Sequence, residues 1–413
     1  MVGVGLAAQH GILSNGGGEA FQTISSLNAV VLDKTGTLTT SKFTVSDQKI
    51  FVNDSSRRLI LSMLRAAEQV STHPLAVGVR EWCDGQLADH KDRATMELVS
   101  SEEIPGRGLL AVLVAEGNKI EVAVGNEELM NDVSAVYQQE SAKDDLLGWK
   151  MAGKSVVVIS ARLLAESSSP GLDLPVTSDI HTILGVFGVH DPPRAEASTV
   201  IAELRKLHMD VWMISGDNPI TANAIAQNVG IDKSHVVAGA LPKDKQAWVR
   251  RLQSGEEGST ETVLKTRWGT KSTKRTIVAF CGDGINDAPA IAQADVGLAM
   301  GGGSNVAIST ADFCLLSSNL LSILTVHHLA QATRRKIITN FIWACCYNVT
   351  LIPLAAGAFY SLGKTKLPPV WGSAAMALSS ISVVVNSLFL RWLYKPPGAV
   401  RRWSRGNDEG TKI

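Results

Sequence analysis

The sequence has little of what marks secreted, nucleic-acid-binding or thiolate-metal proteins. Its 39 basic and 39 acidic residues balance, so it has no basic stripe for nucleic acid and no acidic tail. The five cysteines form no CxxC or similar metal-ligand spacing, which argues against a disulfide framework and indicates a reducing compartment. No basic segment opens the chain ahead of an apolar run, so we predict no signal peptide. We also expect no nucleic-acid partner.

Two long uncharged runs, residues 337–363 and 367–390, lie towards the C-terminus. Each is long enough to cross about 30 Å of hydrocarbon as a helix, and only Lys364, Thr365 and Lys366 separate them. Basic residues precede the pair at 334–336 and follow it at 391, 395, 401 and 402, which favours the cytoplasm for both outer ends. We predict a transmembrane hairpin over 337–391 in contact with membrane lipid, and a cytoplasmic tail over 392–413. Two buried core helices are the alternative.

Each of three other apolar runs ends in a turn that contains aspartate. Residues 29–32 precede DKTGTLT (33–39), residues 211–214 precede SGD (215–217), and residues 277–281 precede GDGIND (282–287). Such runs are typical of buried parallel strands, whose carboxyl ends meet at one sheet edge. A carboxylate placed there, such as Asp33, can act as a nucleophile and form an acyl-phosphate. The pattern therefore predicts one site assembled from distant segments.

DKTGTLT matches the phosphorylation signature of the P-type ATPases, and the three strand ends resemble the haloacid dehalogenase-like phosphotransferases. The resemblance implies a Rossmann-like α/β domain in which Asp33 attacks the γ-phosphate of ATP. It implies that Mg²⁺ is held by Asp33, Asp283 and the Thr35 carbonyl. It also makes Lys245 the lysine that neutralises phosphoryl oxygens, whereas Lys243 is interpreted as a solvated surface charge. The implied catalytic residues are Asp33, Lys34, Thr35, Ser215 (in place of the family's usual threonine), Gly216, Asp217, Lys245, Asp283, Asn286 and Asp287.

Residues 45–183 predict a smaller α+β lobe inserted between the first strand and the apolar run 184–189. A helix is predicted over 57–70, and residues 109–114 and 120–124 alternate like antiparallel strands. The lobe resembles the nucleotide-binding domain of the heavy-metal-transporting P-type ATPases, because a Ser-x-His-Pro frame is followed by Gly-x-Gly and Gly-Asn; Thr72 replaces the frame's usual glutamate. The residues implied to bind ATP are Glu68, His73, Gly106, Gly108, Gly125 and Asn126.

The hairpin resembles that of the copper exporters in the same subfamily. Tyr347-Asn348 matches their Tyr-Asn pair, and Met376, Ser379 and Ser380 match Met-x-x-Ser-Ser on one helix face. A thioether suits Cu(I), and neither helix has the acidic residue or interior lysine that zinc exporters carry. The resemblance implies that Cu(I) is transported, with Tyr347, Asn348, Met376 and Ser380 as ligands. Met376 as mere lipid packing and Cys345-Cys346 as ligands are the alternatives.

The resemblance covers nearly the whole chain and implies its domains. Residues 26–44 and 184–336 are the expected phosphorylation domain, 45–183 the nucleotide-binding domain, and 1–25 the end of a truncated membrane helix and stalk. A polar insert at 254–275 is predicted to be a disordered surface loop. The family's Cys-Pro-Cys, Thr-Gly-Glu and N-terminal Gly-Met-x-Cys-x-x-Cys motifs are absent from these 413 residues. We therefore expect the C-terminal part of a copper pump that transports nothing by itself.

Three functions stay open at this level. The first is ATP-driven Cu(I) transport through an aspartyl-phosphate, with a copper chaperone as an implied donor. The second is a membrane-anchored phosphatase of the haloacid dehalogenase type, and the third is an idle ATP-binding fragment. The resemblance implies an integral membrane protein with cytoplasmic soluble domains. The membrane would be that of the Golgi or secretory pathway in a eukaryote and the plasma membrane in a bacterium.

Overall fold

The computed structural model describes residues 2–71, 73–88, 96–115, 117–137, 141–164, 174–255, 275–356 and 369–410. The chain forms two compact units. The first unit comprises Met1–Asp33, Glu196–Trp212 and Pro242–Ile413, and the second comprises Lys34–Ala195 and Met213–Leu241. Thr72, the linker at 364–366 and most of the predicted insert at 254–275 lie outside the described residues.

The described residues form short strands and mostly short helices. The strands are β1 (Ile12–Ser14), β2 (Ala29–Asp33), β3 (Thr44–Ile50), β4 (Met96–Ile104), β5 (Gly108–Ala115), β6 (Asn118–Gly125), β7 (Ser155–Leu163), β8 (Thr182–His190), β9 (Asp210–Ile214), β10 (Val236–Val237), β11 (Val278–Gly282), β12 (Val296–Met300) and β13 (Phe313–Leu315). The helices are α1 (Val2–Gln9), α2 (Gly17–Ile24), α3 (Asp54–Ala67), α4 (Pro74–Leu87), α5 (Glu127–Asp132), α6 (Ser141–Met151), α7 (Ala197–Lys206), α8 (Pro219–Val229), α9 (Pro242–Ser254), α10 (Ala288–Gln293), α11 (Asn305–Thr310), α12 (Leu321–Ala355), α13 (Pro369–Leu388), α14 (Leu390–Leu393) and α15 (Gly398–Gly410).

A seven-stranded sheet has the order β1-β13-β12-β11-β2-β9-β10. The pairs β2–β11, β11–β12 and β12–β13 are parallel, and β1 joins antiparallel to β13. Every residue of β2, β11 and β12 is buried, which is the pattern of a parallel sheet covered on both faces. The three strands predicted from apolar runs are confirmed as β2, β9 and β11. The strand β9 begins in the first unit and ends in the second, where it pairs with β10.

Helix α8 shows how local sequence sets a helix in place after a strand. The side chain of Asn218 accepts a hydrogen bond from the Ile220 N–H at 2.7 Å, and Pro219 occupies the first turn. Gly230 ends the helix in the left-handed region, with φ of 89°. These residues therefore fix where the helix begins and ends.

A six-stranded sheet in the second unit has the order β3-β8-β7-β6-β5-β4, with antiparallel pairs throughout. The predicted hairpin is confirmed as β5–β6, and the predicted helix as α3. The placement of residues 184–189 in the phosphorylation domain is wrong, because they lie in β8, between β3 and β7. Leu184 and Phe187 belong to the core on one face of this sheet, whereas Ile183 and Val186 belong to the core on the other. Burial on both faces gives β8 the unbroken apolar run that also marks a parallel strand.

The N-terminal residues also differ from the expectation of a membrane-helix stub and stalk over 1–25. Residues 12–14 pair with β13 in the seven-stranded sheet, and α2 buries Phe21 with its ring 5.2 Å from that of Phe313. The segment from Ile12 onwards is therefore part of the packed α/β fold of the first unit.

Among the described residues, two helices are long and apolar enough to cross a membrane, over Leu321–Leu354 and Ala374–Leu393. The first begins well before the predicted span at 337, because α12 continues into the α/β fold, where Ile323, Val326 and Leu329 are buried. Hydrogen bonds join α12 to α13: Asn340 Nδ2 donates to Ser387 Oγ at 2.8 Å, and Asn386 Nδ2 donates to Asn340 Oδ1 at 2.6 Å. The two predicted apolar spans therefore pack as neighbours.

Candidate active site

Three carboxylates meet at the carboxyl end of the seven-stranded sheet, in the first unit. Asp33 is the last residue of β2, Asp283 directly follows β11, and Asp287 ends the short helical turn after it. One oxygen from each lies within 4.8 Å of the others. The parallel pairing of β2 with β11 explains this approach, since Leu32 and Cys281 are register partners near the ends of the strands.

Lys245 of α9 joins two of these carboxylates. Its Nζ lies 2.6 Å from Asp33 Oδ1 and 2.7 Å from Asp287 Oδ1. The three side chains expose only 9%, 7% and 3% of their surface respectively, so the ion pairs are shielded from water. Lys245 shares the inner face of α9 with the buried Val249 and Leu252, which follow at helical spacing. Lys243, interpreted as a surface charge, is exposed.

The two buried carboxylates of Asp33 and Asp287 share the single ammonium group of Lys245. Burial and the charge of Asp287 raise the pKa of Asp33 to about 7, although Lys245 opposes them. Burial alone would lower the pKa of Lys245, but the carboxylates of Asp33 and Asp287 outweigh it and raise that pKa. An excess of buried negative charge with oxygen donors in reach fits a hard divalent cation such as Mg²⁺. The structure thus adds Asp287 to the residues that could hold the ion.

The loop after Asp33 belongs to the second unit and is a tight turn. Thr35 (φ −73°, ψ 126°) and Gly36 (φ 74°, ψ −17°) have the angles of a type II turn, which needs glycine at its third position. Thr39 closes the loop, because its Oγ1 donates to the Lys34 carbonyl at 3.0 Å and accepts from the Gly36 N–H at 3.3 Å. The Thr37 hydroxyl is buried without a hydrogen-bond partner among the described residues, so it is available to a ligand oxygen.

A second charged pair of the second unit joins this loop to the turn after β9. Lys34 Nζ lies 2.5 Å from Asp217 Oδ2. Ser215 Oγ accepts a hydrogen bond from the Asp217 N–H at 3.0 Å, so the serine hydroxyl shapes the turn that includes Gly216. Ser215 stands where the family usually has threonine, and this hydrogen bond is one that a threonine could also make.

The residues predicted to bind ATP fall into two groups in the second unit. Glu68 is the C-cap of α3, and His73 is the N-cap of α4, where its Nδ1 accepts from the Leu75 N–H at 3.2 Å. Burial and the charge of Glu103 raise the pKa of Glu68 to about 7. Glu103 on β4 also acts electrostatically on His73, so it joins this group although the sequence patterns did not single it out. A carboxyl and an imidazole near one another can recognise an adenine edge.

The second group surrounds the β4–β5 turn. Gly106 and Gly108 have φ of 77° and 144°, and Gly108 pairs with Gly125 in the register of β5 and β6. Asn126 Nδ2 donates to the Gly106 carbonyl at 3.0 Å, and Asn126 Oδ1 accepts from the Leu129 N–H at 3.0 Å. Asn126 therefore holds the turn against the start of α5, a structural role that the predicted ligand role did not include.

A family profile described as haloacid dehalogenase-like hydrolase matches residues 27–295. The chain belongs to the haloacid dehalogenase-like hydrolase family. The matched residues contain Asp33, Lys245, Asp283 and Asp287, and thus the whole acidic cluster of this haloacid dehalogenase-like region.

The chain is also similar to longer membrane transport proteins. It is 35% identical to a probable copper-transporting ATPase, HMA5, of Arabidopsis thaliana over 96% of this chain and 35% of that protein. It is 34% identical to a silver exporting P-type ATPase of Salmonella typhimurium over 95% of this chain and 41% of that protein. A zinc-transporting PIB-type ATPase in the E2.Pi state superposes with a TM-score of 0.61 at 28% identity, covering 94% of this chain and 54% of that one. The chain spans about a third of the length of the plant relative.

The predicted copper ligands lie on the helix pair that follows the haloacid dehalogenase-like region. Tyr347 Oη donates to the Ala375 carbonyl at 2.6 Å, one residue before Met376. Met376 is 77% exposed, and Asn348 and Ser380 are exposed as well. Such exposure is expected of α12 and α13, because two packed helices present most of their surface outwards.

Proposed function

We propose that this chain transfers the γ-phosphoryl group of ATP to its own Asp33, and that this step drives transport of a soft metal cation across a membrane. The observation that carries the proposal is the buried contact of Lys245 with Asp33 and Asp287, beside Asp283. These residues lie within the region that matches the haloacid dehalogenase-like hydrolase family and that is similar to the copper-transporting ATPase relative.

The chemistry uses Asp33 as the nucleophile. One carboxylate oxygen forms a bond to the γ-phosphorus while the bond from that phosphorus to the oxygen of the leaving ADP breaks, which gives an acyl-phosphate. Lys245 places a fixed positive charge next to the attacking carboxylate, where water is excluded. Magnesium, when bound by Asp33, Asp283 and Asp287, would supply further charge neutralisation. Because the pKa of Asp33 is raised to about 7, added positive charge favours its reactive ionised form.

The nucleotide site belongs to the second unit in this proposal. Glu68, His73 and Glu103 supply the polar groups for the base, and the glycines at 106 and 108 let the nucleotide approach the backbone. ATP and Mg²⁺ are accordingly the proposed cofactors.

The transported ion is proposed to be Cu(I). No aspartate or glutamate occurs from residue 313 to residue 407, so neither apolar helix offers a carboxylate for a hydrated divalent ion. Met376 provides a soft thioether, and Tyr347, Asn348 and Ser380 provide neutral oxygens. The relatives named for copper and silver agree with this choice, whereas the zinc-transporting structure is the competing case. A copper chaperone as donor, and the Golgi or plasma membrane as location, are parts of the same proposal.

Acid-stable labelling tests the phosphorylation step. The full chain in detergent is incubated with γ-³²P-ATP and Mg²⁺, with and without a copper chelator. We expect label in the wild type and in the Asp144→Asn control, whose carboxylate is exposed on α6, and none in Asp33→Asn. Undiminished label in Asp33→Asn would show that the nucleophile is another residue.

A chimera tests the choice of ion. It joins this chain to the upstream helices of the Arabidopsis copper-transporting relative. We expect Cu(I) to stimulate its ATPase activity, and Met376→Ala to reduce that stimulation more than Cys345→Ala. Stimulation by Zn²⁺ instead of Cu(I) would refute copper as the substrate.

The phosphatase alternative keeps support from the family description. It predicts hydrolysis of small phosphate esters without a nucleotide and without lasting label on Asp33. The idle-fragment alternative predicts ATP binding without either product.

A further inference from the structure

Arg194 contacts the loop that follows the proposed nucleophile. Its Nε donates to the Thr37 carbonyl at 2.8 Å, and its Nη2 donates to the Gly36 carbonyl at 2.7 Å. A planar guanidinium can satisfy two neighbouring acceptors at once because its donors form a rigid fork. The sequence patterns did not single out Arg194 as a site residue.

The backbone on either side of this contact is anchored independently of the arginine side chain. The Arg194 N–H donates to the Leu38 carbonyl at 2.8 Å, and the Thr40 N–H donates to the Pro192 carbonyl at 3.1 Å. Thr39 and Pro193 form an isolated bridge between the two segments. These backbone hydrogen bonds place the Arg194 side chain next to the turn. They do not involve the side chain, so a substitution at position 194 can keep them.

The two accepted hydrogen bonds set the orientation of two peptide groups. All peptide bonds in the described chain are trans, so each N–H points opposite to the carbonyl of the same peptide group. Since the Gly36 and Thr37 carbonyls face Arg194, the N–H groups of Thr37 and Leu38 point away from it. Lys34 does not share this task, because its ammonium group pairs with Asp217.

The loop has few other means of holding this orientation. Gly36 is at positive φ, a conformation that glycine also leaves easily. Thr39 holds the Lys34 carbonyl and the Gly36 N–H, which are the entry to the turn, but neither of its contacts involves the Gly36 or Thr37 carbonyl. The guanidinium therefore supplies the described hydrogen bonds to the Gly36 and Thr37 carbonyls themselves.

We propose that Arg194 is a positioning residue for the phosphorylation of Asp33. By holding the Gly36 and Thr37 carbonyls it presents the Thr37 N–H in one fixed arrangement for phosphoryl oxygens, together with the Thr37 hydroxyl, which has no hydrogen-bond partner among the described residues. This inference rests on the proposed function. It concerns how fast the phosphoryl group is transferred, and it does not concern how tightly the nucleotide binds.

Two substitutions test the inference in the full-length chain. Arg194→Lys keeps the charge but has no fork to reach both carbonyls, and Arg194→Ala leaves space for a free guanidinium ion. Arg162→Lys is the matched control, because Arg162 forms an ion pair with Glu121 on the six-stranded sheet of the same unit. Circular dichroism establishes that each variant is folded.

Amide hydrogen exchange reports on the loop without requiring activity. We expect the peptide covering residues 34–39 to exchange about 10-fold faster in Arg194→Lys than in the wild type or in Arg162→Lys. Unchanged exchange in this peptide would overturn the inference, whether or not the chain is phosphorylated.

Labelling kinetics report on the consequence for the reaction. We expect the phosphorylation rate at saturating ATP to fall about 10- to 100-fold in both Arg194 variants with little change in the apparent KM for ATP. Millimolar guanidinium ion should restore part of the rate in Arg194→Ala and none in Arg194→Lys. A raised KM with an unchanged rate, or no rescue, would contradict positioning. Absence of label in the wild type would refute the proposed function instead, and the exchange result would still decide whether Arg194 holds the loop.

Discussion

The acidic cluster of the first unit and the candidate nucleotide pocket of the second unit are built in different ways. Asp33, Asp287 and Lys245 are charged side chains fixed at a sheet edge and almost fully buried. The pocket instead depends on backbone, at Gly106 and Gly108, with polar side chains at its border. Bond-making chemistry needs charges whose positions do not relax, whereas recognition of a large ligand needs close approach to the chain.

The largest effect is expected for Lys245→Met. Removing the ammonium group leaves Asp33 and Asp287 buried without their partner, so the labelling rate should fall about 1000-fold and the free energy of unfolding by about 4 kcal/mol at pH 8. The control is Lys243→Met on the exposed face of the same helix. Labelling and thermal unfolding measure both effects. Equal losses of labelling rate and stability in the two variants would mean that the buried position of Lys245 has no special effect.

Gly108→Ala tests whether the packed β5–β6 side of the candidate nucleotide pocket tolerates an added methyl group. A Cβ at Gly108 would lie 2.2 Å from the Val124 carbonyl oxygen and 2.5 Å from Gly125 Cα. Together with φ of 144°, this clash should lower the free energy of unfolding by about 3 kcal/mol. The expected signature is faster hydrogen exchange throughout β5 and β6. Exchange as slow as in the wild type in these strands would show that position 108 accepts a Cβ without loss of stability.

Glu68→Gln tests the candidate nucleotide pocket through the pH dependence of the free energy of unfolding. Because the folded-state pKa of Glu68 is about 7 instead of 4.5, the protonated carboxyl favours folding, and that contribution is lost as pH rises from about 4.5 through 7. Glutamine cannot ionise, so the variant should be more stable than the wild type by about 2 kcal/mol at pH 8 and nearly equal at pH 4.5. Thermal unfolding at several pH values measures this. The control is Glu97→Gln, at an exposed position on β4.

The smallest effect is expected for Gly106→Ala. A Cβ there meets nothing within 4 Å, so the change costs only the strain of φ at 77°, about 1 kcal/mol. The added methyl group points into open space beside the turn, and we expect it to weaken ATP binding about 5-fold by limiting approach to the backbone. Titration calorimetry on the full chain measures the affinity. An unchanged affinity would show that ATP does not bind against this turn.

Much of the acidic cluster could be predicted because its information is local. An apolar run followed by aspartate puts Asp33 and Asp283 at strand ends, and adjacency of two parallel strands does the rest. The choice of Lys245 over Lys243 rested on family resemblance, since the register of α9 depends on the core that Val249 and Leu252 join. Periodicity alone could not settle it.

Features that depend on a partner distant in sequence were harder to predict. The run at 184–189 gives no sign of which sheet it joins, because two cores bury β8 from both sides. Gly106 and Gly108 look equivalent in the sequence, yet only Gly108 lies against the β6 backbone. The two carbonyls that accept from Arg194 lie more than 150 residues away in the sequence, so the residues around Arg194 do not predict that contact.

Helix α12 has a mechanical consequence. Its 35 residues contain no glycine, and its one proline, Pro353, lies near the C-terminal end. At 1.5 Å per residue it is a rod about 50 Å long, whereas the hydrocarbon layer is about 30 Å thick. Its N-terminal end packs among the buried side chains of the α/β fold. Because the helix is continuous from this fold into its apolar half, a rotation of the fold that turns the buried end also turns the apolar half.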